Sequence, residues 1–465
     1  MAFPADVDEV AALVRTAARL LPIGAQSSLT GGATPRDDLV LSTRQLSHIA
    51  EPTGDTVRVG AGVPLSDLQR FLAVRGLYYP PVPTFDGAFV GGTIATNAAG
   101  AATFKYGVTR DWVAGVTIVL ADGSILDLRR GDVLASDAGV LEIENSRGVI
   151  DIAIPTYRVP RLPKVSAGYW SEPHLDLVDL FIGSEGTLGV IVDATLRVKR
   201  RPSRCVALIV CGSEQQAIAV TAELRKEAAS TDDPLDVAAI EYVDAKSLAL
   251  LDEAAFSRAG ISRPGGDATM VLVQLETEGN VDAALLRFHE VLLRTGAEGD
   301  PVVAMPGDER TATRLFELRE AVPAAVNARV GTAKARVDER IQKMAGDFIV
   351  PFDTIATALA LYRGAFERRD LQYAIWGHIS DGNLHPNVIP RSRADVEKSR
   401  DALREMARGV MALGGVPLAE HGVGRNPLKQ QFLHDMYGEA GIEQMRAVKR
   451  ALDPEGKLAA GVLFP

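Results

Sequence analysis

The chain has 465 residues, 47% of them hydrophobic and 24% charged, the proportions of a folded globular protein long enough for two or three domains and a deeply buried site. Its formal net charge of −10 argues against nucleic acid or an anionic membrane as the main partner, because both select clustered Lys and Arg. No apolar run reaches the roughly 18 residues of a membrane span, and the N-terminus lacks a basic-then-apolar leader, so a soluble, cytoplasmic protein is expected.

Asp6 with Glu9 makes a capping-box pattern, and Val7, Val10, Val14, Ala17 and Leu21 fall at helical spacing, so a helix is expected to open the chain. Residues 22–34, PIGAQSSLTGGAT, are small apart from Ile23, Gln26 and Leu29, which suits a loop whose backbone approaches a ligand closely. A strand, a turn and a helix capped near Ser66 and ended at Gly76 are read from TVRVGAGVPLSDLQRFLAVRGL. Neither a G-x-G-x-x-G after a strand nor a G-x-x-x-x-G-K-[ST] occurs, so any nucleotide must be held another way. After the proline-rich YYPPVPT, a second small-residue segment, GGTIATNAAG, leads towards an apolar strand over 113–120 closed by Asp122-Gly123. A third is FIGSEGTLGVIVDATLRV, in which Gly183, Gly186 and Gly189 separate two expected strands.

Beyond Arg200-Arg201-Pro202 the texture changes to alternating strands and long helices, such as ATMVLVQLETEG and NVDAALLRFHEVLLRTG, which places a domain boundary near residue 202. Cys205 and Cys211 have the even spacing of one strand face and are expected as reduced core thiols. Two cysteines also exclude a four-cysteine iron–sulfur cluster carried by this chain alone. In GHISDGNLHPN, Asp381-Gly382 is a two-residue hairpin signal that pairs His378 with His385 and Trp376 with Asn387 on one face. Two readings are open there: a pair of imidazole metal ligands with Asn387 as polar neighbour, or a surface hairpin with two ordinary histidines. The helix REMARGVMALGG, an irregular glycine-spaced VPLAEHGVGR and a last helix complete the chain.

Taken together, SLTGGA, GGTIATNAAG, KYGVTRDWV, GSEGTLGVI, GHISDGNLH and EHGVG, in this order over nearly the whole chain, resemble the FAD-linked oxidoreductases of the vanillyl-alcohol-oxidase type. Within them they are most similar to the D-2-hydroxyacid dehydrogenase group, which includes D-lactate, D-2-hydroxyglutarate and glycolate-oxidising enzymes. The resemblance implies an α+β fold: a two-subdomain FAD-binding domain over 1–202, an α+β cap with an antiparallel sheet over 203–418, and a segment 419–465 that returns to the FAD domain. It implies that Gly24, Ala25, Gln26, Ser27, Ser28 and Gly31 hold the pyrophosphate. Gly91, Gly92, Ile94, Asn97 and Gly100, with Glu185, Gly186, Gly189 and Ile191, would line the rest of the FAD. Ile23 stands where relatives usually carry arginine, and Ala25 and Gln26 where they often carry glycine. The first loop has no His or Cys for covalent attachment, so dissociable FAD is expected.

For the chemistry, the resemblance implies that His378, His385 and Glu420 bind a divalent metal, zinc or manganese, with positions left for a 2-hydroxy acid. His421 would be the general base, taking the hydroxyl proton as hydride leaves C2 for flavin N5. Neighbours on a regular strand point oppositely, so Glu420 and His421 require a distorted backbone, for which Gly422 and Gly424 are suited. Arg319 in ELREAV matches a substrate-binding arginine of hydroxyglutarate-type relatives, with an Arg-Glu pair on a solvated helix as the other reading. Asn387 matches as a further active-site residue, Pro323 replaces a threonine of those relatives, and Lys343 is a candidate for their lysine. The expected partners are the hydroxy acid and a separate electron acceptor: an electron-transfer flavoprotein, a cytochrome, a quinone or oxygen. A homodimer is left open. A non-catalytic FAD-binding subunit of a larger oxidase is the alternative, and an ether-lipid-synthase-like transferase is disfavoured because its histidine run is missing.

Overall fold

The computed structural model describes residues 1–465 except 82, 84, 147, 232–234, 278 and 298; two of these fall in the proline-rich stretch. The chain divides into two compact units, one of Met1–Gly100, Tyr106–Arg201 and Leu418–Pro465, the other of Ala101–Lys105 and Pro202–Pro417.

In the first unit, the opening helix is Val7–Thr16, with Asp6 as its N-cap accepting from the Glu9 N–H. It is shorter than its apolar spacing suggests, since Leu21 lies instead in the strand Leu20–Ile23. That strand pairs in parallel with Leu39–Ser42 and is bridged at Leu20 to Leu458. Val10, Ala11 and Val14 pack with Leu20, Leu41, Val119, Val190 and Val192 into one apolar core. The main sheet of this unit runs Thr56–Gly60, Val190–Arg197, Val113–Val119, Ile125–Arg129, all antiparallel. Leu65–Ala73 is helical but begins at Pro64 without a side-chain cap, so Ser66 is inside the helix and does not cap it. The apolar run before GSEG is the helix Leu177–Phe181, where a strand was expected.

Among the described residues the second unit is built on an eight-stranded sheet. Its path is Val302–Ala304, Arg204–Cys211, Thr269–Glu276, Val237–Val243, Tyr373–His378, Asn383–Val388, Met344–Ala345, with Phe348–Ile349 also on Asn383–Val388. The pairings are antiparallel. The long helix Glu309–Arg336 turns Leu315, Leu318, Val322, Val326 and Val330, spaced by three and four, onto Val206, Leu208, Met270, Leu272 and Trp376 of the sheet. Cys205 and Cys211 share one strand as buried free thiols. Among the described residues no helix is long and apolar enough to cross a membrane.

Candidate active site

The hairpin closes differently from the two-residue turn read from Asp381-Gly382. Residues Ile379–Asp381 form a 3-10 turn and Gly382 follows in the left-handed region at φ 81°. A Cβ at Gly382 would come within 2.1 Å of the Val350 carbonyl oxygen, so both conformation and space require glycine. The loop thus takes four residues, and Trp376 pairs with His385, His378 with Asn383, and Ala374 with Asn387. This register differs by two from the expected one, and a slip of two preserves the side-chain face. The imidazoles are therefore diagonal neighbours, with ring centroids 5.5 Å apart and rings perpendicular. They are not at the surface: His378 is 1% and His385 6% exposed, in two strands buried along their whole length. The surface-hairpin reading fails on that burial.

Each imidazole has a carboxylate within its own unit. His385 Nδ1 lies 3.8 Å from Asp347, and His378 Nδ1 meets Glu241 Oε1. Glu241, buried in Val237–Val243, also accepts from Arg319 Nε at 2.7 Å, and Arg319 Nη1 donates to Glu320 at 2.7 Å. Burial alone would push the Glu241 carboxyl up; Arg319 and His378 outweigh it and hold the group well below the usual carboxylate range. Arg319 is 5% exposed, so the solvated-helix reading of its pairing is overturned, and its guanidinium is turned to Glu241. Asn387 donates to the His385 carbonyl at 2.8 Å, whereas its buried Oδ1 has no hydrogen-bond partner among the described residues. A buried acceptor left this way is a place for a ligand or water to donate. Burial pushes the Lys343 ammonium down, and its Nζ is 5.9 Å from the centre of the Trp376 ring.

The first unit contains a cavity of about 370 Å³ lined by all three small-residue loops. Gly24, Ala25, Gln26, Ser27 and Ser28, then Gly91 and Gly92, then Glu185, Gly186, Gly189 and Ile191 form its walls together with Glu420 and His421. The first loop closes on itself through Gln26 Nε2 to the Ala33 carbonyl at 2.9 Å. The second and third are joined by Gly183 N to Ile94 O at 3.0 Å and Glu185 N to Ala95 O at 2.8 Å. A Cβ at Gly92 would project into open space, so the backbone there is accessible to a ligand that needs close approach. The cavity therefore suits an elongated group bound through backbone donors. Four of the expected residues do not line it. Ile94 is buried in the core, Gly31 is displaced in favour of Gly32, and Gly100 is buried outside the lining. Asn97 uses Oδ1 to accept from the Arg110 N–H at 3.0 Å, a structural role.

The segment around Glu420 is irregular, as neighbouring side chains on one cavity required. His421 Nε2 lies 3.4 Å from Glu420, and the fully buried Lys164 holds Glu420 Oε2 at 3.0 Å. Glu185 pins the backbone just beyond His421: its oxygens accept from Val423 N at 2.7 Å and Gly424 N at 2.8 Å. Burial outweighs these bonds and the Lys429 charge, and pushes the Glu185 carboxyl up to about 7. Sequence reasoning missed Glu241 and Lys164. Glu241 had a signal, as the lone charge in the apolar run VAAIEYV; Lys164 had none.

Residues 200–463 match the family of FAD linked oxidases, C-terminal domain, and residues 1–129 match an FAD binding domain. The chain is 30% identical over 479 residues to D-2-hydroxyglutarate dehydrogenase of Xanthomonas citri pv. viticola, covering 100% of this chain and 89% of that protein. It is 28% identical to the glycolate oxidase subunit GlcD of Bacillus subtilis, covering 99% and 88%. With D-lactate dehydrogenase of Anaerostipes hadrus the identity is 26%, covering 98% and 87%. A solved structure of alkyldihydroxyacetonephosphate synthase superposes with a TM-score of 0.64 over 98% of this chain and 75% of that one, at 15% identity, a likeness of fold alone.

Proposed function

This chain belongs to the FAD-linked oxidases, and from that premise we propose that it oxidises a D-2-hydroxy acid of the lactate, 2-hydroxyglutarate or glycolate type to the 2-oxo acid. The observation that carries the reading is one cavity whose walls include the three small-residue loops together with Glu420 and His421. FAD would be held by Gly24 to Ser28, Gly91, Gly92 and the Glu185 to Ile191 loop. When bound, it supplies the hydride acceptor at N5. Among the described lining residues there is no cysteine and the histidine is His421, which supports noncovalent binding.

In this reading His421 receives the substrate hydroxyl proton, and the neighbouring Glu185 fork on Val423 and Gly424 keeps the irregular segment in place. Zinc or manganese would be held by His378, His385 and Glu420 and would supply Lewis acidity towards the hydroxyl and carboxylate oxygens. Its support here is the pair of buried imidazoles with ring centroids 5.5 Å apart and the unpartnered Asn387 Oδ1 beside them in sequence. Electrons would leave to a separate acceptor, since both cysteines are buried strand thiols.

The test is anaerobic mixing of the purified protein with D- and L-2-hydroxy acids and with glycolate, with metal analysis of the same preparation. D-acids are expected to bleach the oxidised flavin absorbance. No bleaching across the panel would refute the dehydrogenase reading and favour a non-catalytic flavin-binding subunit.

A further inference from the structure

Resting on the metal reading above, we propose that Glu241 is the positioning residue of His378, fixing its imidazole in the tautomer that presents Nε2 to a divalent cation, and that Arg319 holds this carboxylate in its anionic form. Three buried side chains from three separate elements carry the idea. His378 ends the strand Tyr373–His378, Glu241 lies on the neighbouring strand Val237–Val243, and Arg319 comes from the helix Glu309–Arg336. They are 1%, 3% and 5% exposed.

The order of donors is set by their chemistry. Arg319 is a permanent cation, and it reaches Glu241 Oε2 with Nε and Nη2, each at 2.7 Å. A carboxylate clamped by a guanidinium is an anion and only accepts. The ring nitrogen facing its other oxygen, His378 Nδ1, must therefore carry the proton. In the neutral imidazole, the form that binds a metal, that leaves the lone pair on Nε2. An anionic acceptor behind a ligating imidazole also raises its basicity, and removal of such partners typically weakens metal binding roughly 10–100-fold.

The test uses the FAD-loaded protein stripped of metal by a chelator, with zinc affinity read by chelator competition and FAD content read in parallel. Glu241→Gln keeps the shape. The double variant Glu241→Leu with Arg319→Met removes both charges and fills the space, a replacement that folded proteins commonly tolerate. Both are expected to keep full FAD and a cooperative melt while zinc binding weakens roughly 10–100-fold. Wild-type zinc affinity in the folded double variant, with affinity lost in His378→Ala, would overturn the positioning role and leave the metal reading intact. Unchanged affinity in His378→Ala would overturn the metal reading itself, and this proposal with it. A measurement made on the wild-type carboxylate and guanidinium is nitrogen-15 NMR of metal-free, histidine-labelled protein, with His378 assigned by its loss in His378→Ala. A protonated Nδ1 and bare Nε2 are expected; the opposite tautomer would refute the proposal.

Discussion

Replacing Glu185 by glutamine should abolish a specific part of the pH dependence of stability. Its carboxyl is pushed from 4.5 up to about 7, burial being the dominant cause. Between those values the unfolded chain has released this proton and the folded chain still holds it, so stability falls as pH rises through the window. At about 1.4 kcal/mol per pH unit the full loss is about 3 kcal/mol, of which about 2.5 kcal/mol falls between about pH 5 and about pH 8.5. Glutamine has no such proton. It keeps one acceptor and points an amide N–H₂ at the second backbone donor of the Val423 and Gly424 fork, at a cost of about 1–3 kcal/mol. Urea unfolding of flavin-free protein should therefore find the variant clearly weaker at the acid end and close to wild type at the alkaline end. Subtracting one curve from the other cancels every other titrating group, Asp244 included, whose carboxyl burial pushes up to about 6. A wild-type-minus-variant difference that stays constant across this range would refute the reasoning.

His421→Ala should retain FAD and metal while flavin reduction slows by roughly 10²–10⁴; near-normal stopped-flow reduction would remove the general-base role. Glu420→Gln should lose metal, with partial rescue of rate by excess metal, and dialysis followed by elemental analysis checks it. His378→Ala or His385→Ala should lower metal content and substrate-dependent bleaching with FAD still bound; parallel loss of FAD would indicate misfolding instead. Acid precipitation should release the flavin into the supernatant, and yellow colour retained in the pellet after full denaturation would contradict noncovalent binding.

The site was legible where its chemistry is local in sequence. Small residues at 24–28, 91–92 and 185–189 announced loops that line one cavity, and because the observed register differs by two from the expected one, both imidazoles still share one face. The register itself was not legible, because Asp-Gly signals a two-residue turn and nothing nearby reports that Val350 packs over Gly382 and draws the turn out to four. The run before GSEG was misread for another reason: five apolar-rich residues, LVDLF, fit a strand or one turn of helix equally, and Asp176 as N-cap decides for the helix. Partners distant along the chain were beyond reach. Glu241 meets Arg319 78 positions away and His378 137 positions away, and Lys164 meets Glu420 across 256.

The division of the first unit around the second sets an order in time. The Leu20 N–H donates to the Lys457 carbonyl and the Leu20 carbonyl accepts from the Ala459 N–H, each at 2.8 Å, and the cavity lining waits on Glu420 and His421. All of the second unit, including the five residues Ala101–Lys105 that leave the first to join it, has been synthesised by Pro417. On the ribosome the inserted unit can complete its fold first, while the earlier-made strands and loops of the other stand open. Domains made first usually fold first; here the cavity lining that Glu420 and His421 supply is made only after the whole of the second unit.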